Sequence, residues 1–300
     1  HLDYHGDMDR YWQAKEALFN WPQLQIAVIN IDDPKGVLLA DKLQKQGQVN
    51  VWTYAIQSQQ SPTQNRKTIA QHIQAIHVAY ANRGMQFEIQ LGDKVASLHT
   101  TTVGDYNVSN LTGVIACLCA LGQRLDDAVK ACQALPPVPG RMELLGVAGE
   151  PLVIVDFAHT PDAIEKALRA IQPLAALRGG DIICVIGCGG NRDKAKRPLM
   201  AAVAETYAQQ IVLTSDNPRL EDPEAILRDM RVGLKAPQSA RVVVDRAQAI
   251  AEAVQHAQQN DLVLIAGKGH ETYQEINDVK YPFSDQLHAQ QAIRNRSMHV

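Results

Sequence analysis

A chain of 300 residues with 46% apolar and 20% charged residues can bury a sizeable core, and its length favours two domains over one. Its formal net charge of −3, with no long basic run, excludes the electrostatic footprint of a nucleic-acid binder, although small anionic ligands held by local charge stay open. The five cysteines, Cys117, Cys119, Cys132, Cys184 and Cys188, are odd in number and show no CxxC spacing, which argues against a disulfide framework or a zinc site and for reduced thiols in the cytoplasm. No apolar stretch is long enough to span a bilayer, and no signal-peptide pattern is present.

The opening "HLDYHGDMDR", with His1 and His5 among three acids and no Met, is expected to be the interior of a domain. "QIAVIN" (25–30) then predicts a buried strand ending in the polar "IDDPKG", and "PKGVLLADKLQKQG" predicts a helix closed by Gly47. "VNVWTYAI" follows as a strand. Alternating apolar and polar residues around "LGD", from 84 to 104, predict an antiparallel hairpin. "NVSNLTGVIACLCALG" (107–122) predicts a helix with an Asn-rich start, followed by a second helix to about Ala134. The Pro/Gly-rich "LPPVPGRMELLGVAGEP" breaks this pattern and marks the expected domain boundary, dividing residues 1–148 from 149–300.

Beyond it the alternation is more regular. Strand "PLVIVDFA", helix 161–175, strand "DIICVIG", helix 195–208, strand "QIVLTS", helix 223–233, strand "RVVVD", helix 246–258 and strand "DLVLIAG" succeed one another. Near-continuous apolar strands separated by helices predict a mostly parallel α/β sheet covered on both faces. A hairpin, "YQEINDVKYPFSD", and a last helix complete the chain. Ligands gather at the carboxyl ends of such strands. Here those ends carry "DFAHTPD", "GCGGNRDKAKRP", "SDNPR" and "AGKGHE".

Gly187, Gly189 and Gly190 follow a strand and precede a helix, which lets backbone N–H groups approach an anion. Arg192, Lys194, Lys196 and Arg197 crowd the same turns, where the helix dipole disfavours cations. A solvated face explains Lys194 as well as a ligand does; Arg192, nearest the glycines, points to an anionic ligand. Asp216 and Pro218 suit a plain turn, whereas the planar fork of Arg219 at a strand end suits a bidentate carboxylate. The glycines of "GKGHE" allow close approach of a ligand to the backbone at Gly267, and Glu271 could meet an ammonium. A ligand with a carboxylate and an ammonium is an amino acid. His159 precedes a helix N-cap, Thr160, and is as readily structural as functional; Asp156 suits a ligand hydroxyl. Asn107 and Asn110 read as helix caps, Lys15 as a surface lysine on an amphipathic helix. No GxxxxGK[ST] and no GxGxxG occurs.

Taken in order, "HLDYHGDMDRYWQAK", "INIDD", "GDYNVSN", "GRMELL", "VDFAHTPDAIEKAL", "GCGGNRDKAKRPLM", "SDNPR" and "AGKGHE" closely resemble the Mur ligases of peptidoglycan synthesis, over essentially the whole chain. Within that family the motifs are most similar to the branch that adds 2,6-diaminopimelate. The resemblance implies the later part of the family's central ATPase domain followed by a Rossmann-like C-terminal domain. It places the family's phosphate loop, a metal-binding glutamate and a UDP-binding domain before His1, so this chain alone is expected to be inactive. The implied activity is ATP-dependent amide ligation, joining meso-2,6-diaminopimelate to UDP-N-acetylmuramoyl-L-alanyl-D-glutamate through an acyl phosphate, with Mg2+, in a cytoplasmic monomer.

The resemblance also implies roles for individual residues. Lys15 matches a carbamylated lysine whose carbamate oxygens orient magnesium, and His1 a magnesium ligand. Asn107 and Asn110 match asparagines near adenine, Arg141 an arginine reaching the phosphates, Asp156 a ribose contact and His159 a nearby nucleotide-site position. Arg192, Asn217, Arg219, Gly267 and Glu271 match contacts to diaminopimelate. Asn30, Asp32 and Asp33 fit the family pattern without assigned chemistry. Two other readings stand beside this one: a non-catalytic module that holds diaminopimelate and nucleotide, and a folylpolyglutamate synthetase-like ligase, against which "SDNPR" followed by "GKGHE" argues.

Overall fold

A computed structural model of the chain describes residues 6–57, 71–147 and 149–298. His1, expected as a metal ligand, lies outside them. Two compact units emerge: 6–57 and 71–79 with 86–100 and 105–135 in the first, and 80–85, 101–104, 136–147 and 149–298 in the second.

The first unit opens with α1 (Met8–Glu16), whose N-cap Asp7 accepts from the Arg10 N–H. Strand β1 (Ile26–Asn30) buries every second residue, and Ala27 and Ile29 pack with Leu39, Ala40 and Leu43 of α2 (Pro34–Gln46). The start of α2 follows its sequence signals: Asp33 caps it, Pro34 occupies the first turn, and Gly47 ends it at φ 67°. Strand β2 (Asn50–Ile56) runs parallel to β1. The predicted hairpin is present as β4 (Gly84–Leu91) and β5 (Lys94–Thr100). It belongs to a larger sheet of order β1-β2-β3-β4-β5, which includes β3 (His72–Ala81), a strand the sequence pattern did not assign. The "INIDD" residues hold this sheet at its end. Asn30 Nδ2 donates to Ser109 Oγ and Asp32 Oδ2 accepts from the Ile56 N–H, at 3.2 and 2.9 Å. Helices α3 (Asp105–Ala120) and α4 (Leu125–Gln133) complete the unit.

The second unit is built on a six-stranded sheet of order β10-β9-β8-β11-β7-β6. Strands β7 (Leu152–Asp156), β8 (Ile182–Ile186) and β11 (Leu262–Ala266) are buried at every residue, which is why they read as unbroken apolar runs. All pairings are parallel except that of β6 (Glu143–Leu145) with β7. Between the strands lie α5 (Pro161–Arg178), α6 (Lys196–Tyr207), α7 (Pro223–Arg231) and α8 (Arg246–His256), with β9 (Gln210–Leu213) and β10 (Arg241–Val242) toward one edge. The β10 strand is shorter than "RVVVD" predicts. Asp245 is drawn off as the N-cap of α8 and accepts from the Gln248 N–H at 2.9 Å. The expected tail is present as the antiparallel pair β12 (Tyr273–Ile276) and β13 (Val279–Pro282), followed by α9 (Asp285–Ser297).

Two separate clusters cover the faces of this sheet. Ile154, Cys184 and Leu264 point to one and Val153, Val185 and Ile265 to the other, as alternation in a strand requires. No helix among the described residues is long and apolar enough to cross a membrane.

Candidate functional site

The loops after β8, β9 and β11 converge at the carboxyl end of the second sheet. Their glycines are explained by packing between loops. A Cβ on Gly187 would stand 2.3 Å from the Thr214 carbonyl oxygen, and one on Gly190 would stand 1.9 Å from that of Pro218. The Gly190 N–H donates to the Asn217 carbonyl at 2.9 Å. For Gly190, then, the expected anion cradle is replaced by a backbone contact that fastens the β8 loop to the β9 loop.

The cations of that stretch separate into different environments. Arg197 is buried, with its side chain 1% exposed, and bonds Glu221 at 2.8 Å and Asp229 at 2.9 Å. It is neither a solvated residue nor one that crowds a dipole: two carboxylates from other elements neutralise it. Lys194 remains exposed and reaches Glu221 at 3.3 Å. Arg192 is exposed. A Cβ on Gly189 would meet Arg219 Nη1 at 3.0 Å and Arg192 Cγ at 3.8 Å, so two arginines flank the side-chain-free surface of one glycine.

Glu221 is the fastener the sequence reading missed. It accepts from Arg197 and from the Asn191 N–H, and its carboxyl is pushed down to about 2 by the Arg197 hydrogen bond first and the Asn191 N–H second, against the opposing effect of burial. A carboxyl depressed from its ordinary value of 4.5 contributes stability that is fully present above pH 4.5 and is lost as pH falls through 2. Replacing Glu221 by Gln is therefore expected to lower Tm at pH 7 and to flatten its decline between pH 4.5 and 2, measured by calorimetry across that window.

Arg219 is held on all sides. Its backbone lies in the left-handed region at φ 53°, which costs a non-glycine residue about 1 kcal/mol or more unless its surroundings enforce it. They do so through strand β12 and the turn after it. The Arg219 N–H donates to Glu275 O at 3.0 Å and its carbonyl accepts from the Asn277 N–H at 2.7 Å. The guanidinium spends Nε on Glu275 at 3.2 Å and Nη1 on the Gly190 carbonyl at 2.8 Å. Five N–H donors in a planar fork leave further donors for a ligand carboxylate.

Asn217 is 4% exposed and bridges three partners. Its Nδ2 donates to Glu271 Oε2 at 2.9 Å, while its Oδ1 accepts from Lys268 Nζ at 2.9 Å and from the Glu275 N–H at 3.0 Å. Burial alone would raise the Glu271 carboxyl, but the hydrogen bonds from Lys268 and Asn217 outweigh it and hold the group below its ordinary value. Gly267, at φ +126°, leaves no room for a side chain: a Cβ there would stand 2.5 Å from Asp216 Oδ2. Asp216 turns back on its own loop and accepts from the Asn217 N–H at 2.7 Å. All five residues expected at an amino-acid site thus lie on these three loops.

A second grouping forms around Phe157, after β7. The Arg141 guanidinium lies 4.9 Å from its ring centroid, His159 packs edge-on at 4.7 Å and His270 at 5.2 Å. His159 Nδ1 donates to the Phe157 carbonyl at 2.7 Å, which leaves Nε2 as the ring nitrogen open to a ligand. Asp156 is buried beside them. Its carboxylate accepts from the Met142 N–H at 2.8 Å and the Ala158 N–H at 2.9 Å, and burial raises its pKa despite these bonds. Glycine is obligatory here as well, because a Cβ on Gly140 would fall 2.2 Å from the backbone of Gly269.

In the first unit, Lys15 is exposed on α1 with its ammonium 4.8 Å from the Tyr11 ring centroid. Helix α3 begins at Asp105 instead of Asn107, so neither Asn107 nor Asn110 is an N-cap. Three residues apart, they share one face of the first two turns. No group of three or more His, Cys, Asp or Glu side chains among the described residues is disposed to hold a metal. Of the two residues expected at the metal, Lys15 is among the described residues and His1 is not.

Comparison with known proteins places this arrangement. Residues 1–118 match the profile of the Mur ligase middle domain, and residues 140–269 that of the Mur ligase glutamate ligase domain. The chain belongs to the Mur ligase family and carries its middle and C-terminal domains. A protein of Acidovorax sp. (strain JS42) named UDP-N-acetylmuramoyl-L-alanyl-D-glutamate–2,6-diaminopimelate ligase is 50% identical over 296 residues, covering 99% of this chain and 57% of the relative. One of the same name from Janthinobacterium sp. (strain Marseille) is 45% identical over 300 residues, covering 99% of this chain and 58% of the relative. A solved structure of a ligase of that name matches with a TM-score of 0.71 at 35% identity, covering 100% of this chain and 58% of the other. The chain therefore spans less than two thirds of the length of these relatives.

Proposed function

We propose that this chain belongs to a cytoplasmic, ATP-dependent amide ligase of peptidoglycan synthesis that joins meso-2,6-diaminopimelate to UDP-N-acetylmuramoyl-L-alanyl-D-glutamate. ATP phosphorylates the terminal carboxylate of the muramoyl dipeptide, releasing ADP. The amine of diaminopimelate then attacks the acyl phosphate, and phosphate leaves as the amide forms. Magnesium, when bound, would neutralise the clustered phosphate charge. The chain's own residues bind and orient: in the second unit Arg141 supplies an exposed cation for phosphate, and Asp156 and His159 supply polar groups for a nucleotide. Lys15, once carbamylated, is the residue proposed to help hold the metal, together with His1.

The observation that carries this reading is the convergence on one sheet end of Arg192 and Arg219 about Gly189 and of Asn217 upon Glu271. Cations suit the carboxylates of an amino acid and Glu271 suits its ammonium. Diaminopimelate exceeds lysine by one distal carboxylate, and an arginine set for that group is left unpaired by lysine. The likeness to ligases of this name supports the same substrate.

Phosphate release tests the proposal, in a longer polypeptide that includes the upstream domains of the relatives and is given ATP, magnesium and UDP-muramoyl dipeptide. Release with meso-diaminopimelate but not L-lysine is expected, and none from the 300-residue chain alone. Equal release with both amino acids would remove Arg219 from its selecting role, and no release with either would remove the ligase reading.

A further inference from the structure

Lys268 is fully buried, and the proposed function gives it no task. It lies just past the end of β11, between Gly267 and Gly269, both at positive φ. Its Nζ donates to Asn217 Oδ1 at 2.9 Å and to Glu271 Oε2 at 2.8 Å, and lies 5.6 Å from the centroid of the Tyr273 ring. An ammonium taken out of water must be compensated by charge and hydrogen bonds. Here the compensation comes from the two side chains proposed to meet the ligand.

The amide of Asn217 has only one tolerable orientation as a result. Oδ1 takes both the Lys268 ammonium and the Glu275 N–H. A flipped amide would set its NH2 against two donors and turn an oxygen toward the Glu271 carboxylate. Both bonds to Glu271, from Asn217 Nδ2 and Lys268 Nζ, fall on Oε2. The other oxygen is left for a ligand.

We infer that Lys268 is a positioning residue for the incoming amino acid: from a buried position it fixes the Asn217 amide and aims an ionised Glu271, leaving Oε1 for the ligand ammonium. This rests on the proposed amino-acid site and names what sets its geometry. It also accounts for a buried lysine just past an apolar strand, where a residue without charge would satisfy the fold alone.

The test uses the same longer polypeptide and measures KM for each substrate in Lys268→Met. Losing a charge-assisted hydrogen bond is expected to raise KM for meso-diaminopimelate by about 10- to 100-fold, with KM for ATP and for the UDP-dipeptide within about twofold. In a Glu271→Gln background the same substitution is expected to shift KM for the amino acid by less than it does with Glu271 present, because one of the two groups it acts through is already gone. An unchanged KM for the amino acid would overturn the inference. So would a rise shared by all three substrates, or an effect undiminished by Glu271→Gln. Should Lys268→Met fail to fold, the pair Lys268→Met with Glu271→Gln, which buries no unpaired charge, carries the comparison against Glu271→Gln alone. Absence of diaminopimelate-dependent turnover in the unsubstituted polypeptide would instead strike the proposed function, and the inference with it.

Discussion

Replacing Arg219 by alanine is expected to lower kcat/KM for meso-diaminopimelate by about 100-fold or more, since a charge-assisted contact contributes about 1.5–3 kcal/mol and the partner group is then left unpaired. Use of L-lysine, which has no distal carboxylate, should change far less. The structure adds a second cause of loss. With Arg219 gone, Glu275, now 3.2 Å from Nε, faces the site as an uncompensated carboxylate and repels the carboxylate the ligand brings. Adding Glu275→Gln to Arg219→Ala is therefore expected to recover part of the loss. Steady-state phosphate release with the two amino acids checks both statements, and an equal loss with lysine would end the role given to Arg219.

The largest expected effect on stability lies away from the ligand. Arg246, the first residue of α8, and Asp285, the first of α9, form a two-pronged pair with both distances 2.7 Å and both side chains fully buried. Arg246 also donates to the Ala266 carbonyl at 3.1 Å, so one guanidinium ties two helix starts to the end of β11. Asp285→Ala leaves that charge buried and unpaired, a change that costs about 3–5 kcal/mol. At roughly 2–4 °C per kcal/mol for a unit of this size, Tm should fall by about 10 °C. Arg246→Met with Asp285→Leu, which removes both charges, should recover most of it. Thermal melts followed by circular dichroism distinguish the cases: a single substitution as mild as the double one would show that the pair carries little stability.

Much of the fold was legible in local chemistry. Apolar runs at 152–156, 182–186 and 262–266 read as strands buried on both faces, and Thr160 and Gly47 marked helix ends, because both signals depend on residues adjacent in the chain. Strand His72–Ala81 and the short Glu143–Leu145 were not legible, since neither had been marked by a run or turn signal that outweighed its surroundings. Their strand character comes from the neighbours they pair with.

The candidate site divides in the same way. Asn217, Arg219, Gly267 and Glu271 stood out because amide, guanidinium and carboxylate groups at strand ends are chemically conspicuous. Lys268 lies in the same stretch as Gly267 and Glu271, and its position between two glycines just past a buried strand is the sequence signal of its burial. Glu221 and Glu275 carried no signal, being acids in polar stretches.

The sequence by itself determined which residue types stand at the sheet's carboxyl end, through composition and order along the chain. Only the tertiary structure decided what each does there. It turned Arg197 inward between Glu221 and Asp229, made Gly190 a contact between two loops, placed Arg219 against Glu275, and gave Asn217 its single orientation. The physical reason is that a buried charge or amide must find its partners wherever the fold brings them, here up to 58 residues away in the chain.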